Sequence, residues 1–215
     1  MTMFAGLLDD GERARAVTFR KMHDQRLFTI AHGAVRVLAG REVGARPAAF
    51  TWIPGEHGKP ELMPPWSGLH TSVSHSGDLA AVAVTTSRPV GVDIQEMVPG
   101  LDTAALSARF FPPGEASYVA AGHGRRERAN RFARLWVRKE AAVKSAGGRL
   151  WPNLAIEVRG RDIVTCAQPA GSHRVAKVTA PEGYHAAVAL AGPEPFATSV
   201  SVWAGAGLAR AHGAP

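Results

Sequence analysis

Gly77-Asp78-Leu79-Ala80-Ala81-Val82-Ala83-Val84 returns late in the chain as Gly183-Tyr184-His185-Ala186-Ala187-Val188-Ala189-Leu190. Each copy opens on a glycine suited to a turn and continues as an Ala/Val run suited to a strand. Each also lies late in a stretch that begins with helical periodicity and continues with strands. An Ala/Val-rich chain can produce such a match by chance, but the shared helix-then-strands order gives it weight. The pattern predicts an α+β fold of two similar halves, dividing near residues 97–105. Two such halves would create a cleft between them, a preferred place for a ligand.

Outward from the repeat, the periodicities predict a helix over 12–38, a strand over 48–53 and a turn through 54–60. Strands follow at 69–73 and 79–84, joined by Ser74-His75-Ser76-Gly77-Asp78. Val90, Val92 and Ile94 alternate as in a half-buried strand, so Gly91, Asp93 and Gln95 share the other face. Helices are predicted over 104–111, 113–121 and 127–145, the last stopped by Gly147-Gly148. Strands are predicted at 154–158, 162–166, 173–179, 185–190 and 198–202, with fraying after Trp203.

With 46% hydrophobic and 20% charged residues, the 215-residue chain has the composition of a packed protein. Cys166, the single cysteine, excludes an intramolecular disulfide and a thiolate cluster, fits a reducing cytoplasm, and reads as a core strand residue. No apolar run approaches the roughly 18 residues that span a bilayer, and the start has no signal-peptide pattern. A net charge of +7 favours an anionic partner: nucleic acid, a phosphate-rich small molecule or an acidic protein. An Arg-rich high-GC composition would give the same sign.

Two acids stand where a core prefers apolar groups. Asp93 lies on a strand, and Glu140 lies beside the stripe of Phe132, Trp136, Lys139 and Val143 on a helix. If strand and helix approach, the two carboxylates could hold Mg²⁺, with Gln95 adding an amide oxygen. The bland alternative is a surface Glu140–Lys144 pair, contributing only about 0.3–0.5 kcal/mol. Ser74-His75-Ser76-Gly77 and Gly58-Lys59-Pro60 offer N–H groups, an imidazole and a cation to a phosphate, or are an ordinary hairpin and loop. Ser74 and His75 point to opposite faces and cannot pair as nucleophile and base.

The order Gly58-Lys59-Pro60, Ser74-His75-Ser76, Gly91-Val92-Asp93-Ile94, Phe110-Phe111 and Trp136-x-x-Lys139-Glu140-Ala141-x-x-Lys144 resembles the Sfp-type 4′-phosphopantetheinyl transferases. The Trp…Lys-Glu-Ala form is similar to the bacterial branch serving polyketide, nonribosomal peptide or fatty-acid synthesis. The resemblance implies an α+β pseudo-dimer of two similar α/β halves, residues 1–100 and 101–215, each an antiparallel sheet with helices, with coenzyme A and Mg²⁺ or Mn²⁺ bound in the cleft between them. It implies transfer of the phosphopantetheine arm to a serine of an acidic apo acyl or peptidyl carrier protein, releasing 3′,5′-ADP. Asp93 and Glu140 match its metal-binding acids, with Gln95 at a third ligand position. Lys144 matches a residue beside the pyrophosphate or the leaving side, and Gly58, Lys59 and Pro60 match the adenine-pocket segment. Ser74 and His75 match phosphate-holding residues, Arg26 a 3′-phosphate cation, and Arg15 is a second candidate for that task. Glu140 is the first candidate general base and Glu115 the second. A working monomer is expected, because fused halves need no assembly.

Three departures stand out. Gln95 replaces an acid found in many relatives, and Gly147-Gly148-Arg149 replaces a Gly-x-Gly. The family's first strand would have to come from residues 3–8 or be absent. Two rivals are a catalytically decayed CoA- or carrier-protein-binding module and a basic nucleic-acid-binding domain. The second lacks a recognisable reader motif, so neither nucleic acid nor membrane is an expected partner.

Overall fold

The computed structural model describes residues 2–56, 59–203 and 208–210. It begins with helices α1 (Thr2–Ala5), α2 (Asp10–Ala16) and α3 (Met22–Val43). The start is thus helical, where a first strand had been possible, and the helix predicted over 12–38 is two. Asp9 and Glu12 form a capping box on α2, which satisfies N–H groups that the first turn leaves open. The Arg36 guanidinium, 1% exposed, then takes Asp9 at 2.5 Å and Glu12 at 2.8 Å. These pairs fold α2 back onto α3 and put the break at 17–21, where the Thr18 hydroxyl donates to Arg15 O. Helical periodicity alone does not register that tertiary contact.

A short hairpin, β1 (Trp52–Pro54) with β2 (Pro60–Leu62), covers a small core of Ala39, Phe50, Leu62 and Leu69. Strands β3 (His70–Ser76) and β4 (Leu79–Thr85) form a second hairpin under α3. Ser74, His75 and Ser76, predicted as part of a connection, belong to β3; only Gly77 and Asp78 turn, Gly77 at φ +53°.

Strand β5 (Val90–Glu96) leads to α4 (Thr103–Phe110), α5 (Pro113–Ala120) and the long α6 (Gly124–Ala146). Gly147, at φ +72°, ends α6 as a left-handed C-cap, as its sequence predicts. Then come β6 (Ile163–Ala167), β7 (Ala170–Val178) and β8 (Tyr184–Ala191), giving an antiparallel sheet in the order β5-β8-β7-β6. No strand forms over 154–158. Its backbone is held by side chains instead: Glu115 Oε1 accepts from Val158 N and Arg159 N at 2.6 and 2.8 Å. The buried Asn153 amide ties Arg149 O and Gln168 O nearby. At the end, β9 (Ser201–Trp203) pairs with β10 (Leu208–Arg210), so 208–210 are a strand and not frayed chain.

The repeated segments become β4 and β8, each entered through a positive-φ glycine, Gly77 or Gly183. A long helix packs on each hairpin, α3 on β3 and β4 and α6 on β7 and β8. Strand β5, from the N-terminal side of residue 100, pairs with β8. It is buried on both faces from Val90 to Ile94 rather than half-buried, because α6 covers one face and β3 lies against the strand.

Candidate active site

Three elements converge on Asp93. Gly91 lets α6 lie directly on β5: a Cβ there would stand 2.0 Å from Ala141 O and 2.4 Å from Ser145 N. The same close crossing puts Lys144 Nζ 2.7 Å from Asp93 Oδ1. From the other side, the Ser74 hydroxyl donates to Asp93 Oδ1 at 2.6 Å. Strand β3 is joined to β5 by serine hydroxyls, with Ser72 Oγ accepting from Val92 N and Ser76 Oγ from Glu96 N, both at 3.0 Å. Period-2 serines therefore fix Asp93 in place.

Asp93 is 4% exposed, and its Oδ2 is buried without a hydrogen-bond partner. Burial pushes its carboxyl above the usual range, opposed by Lys144 and Ser74. Glu140 is pushed up to about 7, first by burial and then by the Asp93 charge, with Lys144 opposing. That Asp93 raises Glu140 across the β5–α6 contact puts the two carboxyl groups in one neighbourhood. The bare Oδ2 is the kind of donor a hard cation takes. Gln95 shares the strand face of Asp93, and its amide N–H donates to Glu96 O at 3.0 Å, which leaves its oxygen available. Among the described residues no group of three His, Cys, Asp or Glu could hold a metal; the bare Asp93 Oδ2, the Glu140 carboxylate and the Gln95 oxygen are the hard donors a divalent ion would take here. Lys144 does not close the surface pair with Glu140 that its spacing allows.

A cleft of about 680 Å³ opens at the C-terminal end of α6, lined by Lys59, Pro60, His70, Ser145, Gly147 and His173 among others. It is large enough for a small-molecule ligand. Lys59 Nζ donates to Val90 O at 2.9 Å, and burial pulls its pKa down to about 8. Ser145 Oγ donates to Pro89 O, so it can only accept from His173 Nδ1 at 3.0 Å. This leaves His173 Nε2 as a bare buried acceptor. Sequence reasoning missed Ser145 and His173; they meet only through the packing of β7 against α6 and carry no local signal.

The other sequence candidates are dispersed. His75 is exposed on β3, on the face away from Ser74. Arg26 is exposed on α3, one turn after His23, whose ring bonds Gly77 O at 2.9 Å. Arg15 is exposed on α2, its guanidinium 5.4 Å over the Phe19 ring. Gly58 lies outside the described residues. Glu115 is 3% exposed, 2.6 Å from Lys139 Nζ, and its other oxygen takes the Val158 and Arg159 N–H groups. Its oxygens are committed to holding α5, α6 and the 154–159 segment together.

The model of the 4′-phosphopantetheinyl transferase superfamily matches residues 89–196, half of the chain. A 4′-phosphopantetheinyl transferase of Bacillus subtilis is 34% identical over 152 residues, covering 70% of this chain and 66% of the relative. The 4′-phosphopantetheinyl transferase HetI of Nostoc sp. is 33% identical over 145 residues, covering 66% and 61%. In both cases the chain spans slightly less than two thirds of the relative's length. The family-matched segment contains Asp93, Glu140 and Lys144. No helix among the described residues is long and apolar enough to cross a membrane.

Proposed function

The chain belongs to the 4′-phosphopantetheinyl transferase superfamily, and from that membership we propose that it transfers the phosphopantetheine arm of coenzyme A to a serine of an apo carrier protein. The observation that carries this is the buried Asp93, its Oδ2 unpartnered, beside the half-buried Glu140, which burial and the Asp93 charge push up to about 7. Asp93, Glu140 and the Gln95 amide oxygen would hold Mg²⁺ or Mn²⁺. Such an ion supplies charge neutralisation on a pyrophosphate.

The chain's own residues do the rest. Lys59 and Pro60, in the 680 Å³ cleft, would take the adenine end of coenzyme A. Arg26 and His75 supply cationic or donor groups to its phosphates, with Arg15 a more remote candidate. Ser74 holds Asp93, and Lys144 adds positive charge at the leaving side. Glu140 is the group placed to accept the serine proton, directly or through a water on the ion. The serine oxygen bonds to the phosphorus carrying pantetheine, and 3′,5′-ADP leaves with the electron pair of the broken P–O bond. Positioning and charge neutralisation dominate such a transfer. The net charge of +7 would speed encounter with an acidic carrier. The halves 1–100 and 101–215 would close the site as a monomer.

Incubation of apo carrier domains with this protein, coenzyme A and Mg²⁺, followed by intact mass, tests the proposal. A gain of one phosphopantetheine is expected. Coenzyme A binding with no mass gain on several unrelated carriers would instead identify a non-catalytic binding module.

A further inference from the structure

A second cavity, of about 280 Å³, lies between α6, β7, β8 and the turn at Gly160. It opens on a different flank of α6 from the candidate active site. Arg134 and Arg138 line it one turn apart. Glu140 and Lys144 follow each of them by six residues, which places them roughly 120° around the helix. In the sheet, Asp93 is in register with Ala187 and Ala187 with Lys177. Lys177, which also lines the cavity, is therefore two strands from Asp93, roughly 10 Å.

The charge of the lining is one-sided. Arg138 is fixed by Nε donating to Val158 O at 3.1 Å and by a bond from Nη2 to Arg161 O, leaving Nη1 over. The Arg159 guanidinium is stacked 4.3 Å over the Tyr118 ring, which holds its charge in place. Arg134 and Lys177 are exposed and make no ion pair among the described residues. Asp162 is the one acid in the lining; its charge acts on Arg138, as does that of Glu115 from behind the lining. Neighbouring acids are engaged elsewhere: Glu127 with Arg131, Glu157 with Arg161, and Glu115 with Lys139. The field reaches His185, which bonds Asn130 Oδ1 at 2.5 Å. Burial first, then Arg134 and Lys177, pulls its imidazole down to about 4.

Four cations against one carboxylate repel one another unless an anion joins them. Guanidinium forks match the oxygens of a tetrahedral oxyanion, and a lysine adds a point charge. At about 30 Å³ per water, 280 Å³ accommodates a hydrated phosphate or small monoester and is too small for the whole of coenzyme A. We propose that this cavity binds a phosphate-class dianion, inorganic phosphate or a small phosphate monoester, through Arg134, Arg138, Arg159 and Lys177. The site stands independently of the transfer reaction.

The test follows the Nε–H resonances of Arg138 and Arg159 by NMR, with and without coenzyme A. Inorganic phosphate, glycerol 3-phosphate or chloride is titrated at constant ionic strength. Saturable shifts with phosphate or the monoester, absent with chloride, are expected, and the tighter of the two identifies the natural source. The double variant Arg134→Gln/Lys177→Gln, with an unchanged melting temperature, should bind at least about tenfold more weakly. Equal shifts with chloride, or phosphate shifts that survive in the double variant, would overturn the proposal.

Discussion

Lys144 Nζ lies 2.7 Å from Asp93 Oδ1, so the cation one turn after Glu140 is held by the strand and not by its helical neighbour. That contact ties α6 to β5 and compensates an acid that burial would otherwise neutralise. Replacing Lys144 with Met should destabilise the metal-free protein by about 2–3 kcal/mol, because a buried charge loses its partner. Added Mg²⁺ should raise the melting temperature more in this variant than in the wild type, the ion replacing the missing charge. Equal Mg²⁺ effects in the two proteins would contradict the shared role.

Gly91 is required by contact rather than by turn geometry, since a Cβ there would lie 2.0 Å from Ala141 O. Gly91→Ala should push α6 off β5 and cost about 3 kcal/mol. Transfer should fall more than the lost stability explains, because Asp93 and Lys144 separate together. Urea unfolding beside turnover of the folded fraction checks this.

Glu115 and Lys139 form a buried pair, the lysine 0% exposed. Glu115→Gln should cost about 3–5 kcal/mol by leaving Lys139 without its counter-charge. At low temperature, where the variant stays folded, its transfer rate should stay within about twofold of wild type. A collapse in rate with stability unchanged would instead make Glu115 the base.

Burial pulls Lys59 down to about 8 from an ordinary 10.5. Between those values the unfolded chain binds the proton that the folded chain has released, so stability rises with pH. The wild type should gain about 1–2 kcal/mol relative to Lys59→Met from pH 8 to 10.5, after allowance for solvent screening. Urea midpoints across that range measure it, and parallel pH curves would contradict it.

The parts of the fold legible in the sequence are those where local pattern and tertiary environment agree. Val90, Val92 and Ile94 alternate and β5 forms; the apolar stripe through Phe132 and Val143 runs to Gly147 and α6 ends there. Asp93 and Glu140 were legible as a pair because neither suits an apolar neighbourhood. Long-range polar contacts were not legible. Arg36 folds α2 back onto α3, Ser74 and Ser76 bond β5 where residues 74–76 read as a connection, and Glu115 supplies acceptors where 154–158 read as a strand. In each case a side chain bonds a group distant in sequence, and the local pattern does not say which one.

On the proposed function, Asp93 and Glu140 together support cation-dependent transfer from coenzyme A. The intact mass of an apo carrier domain tests this, after incubation with coenzyme A and wild-type, Asp93→Asn or Glu140→Gln protein, in Mg²⁺ or in chelator. The wild type in Mg²⁺ should add one phosphopantetheine. The chelated sample and both variants should add none while still binding coenzyme A. Full conversion by Asp93→Asn, or no conversion of any of several carriers by the wild type, would contradict the account.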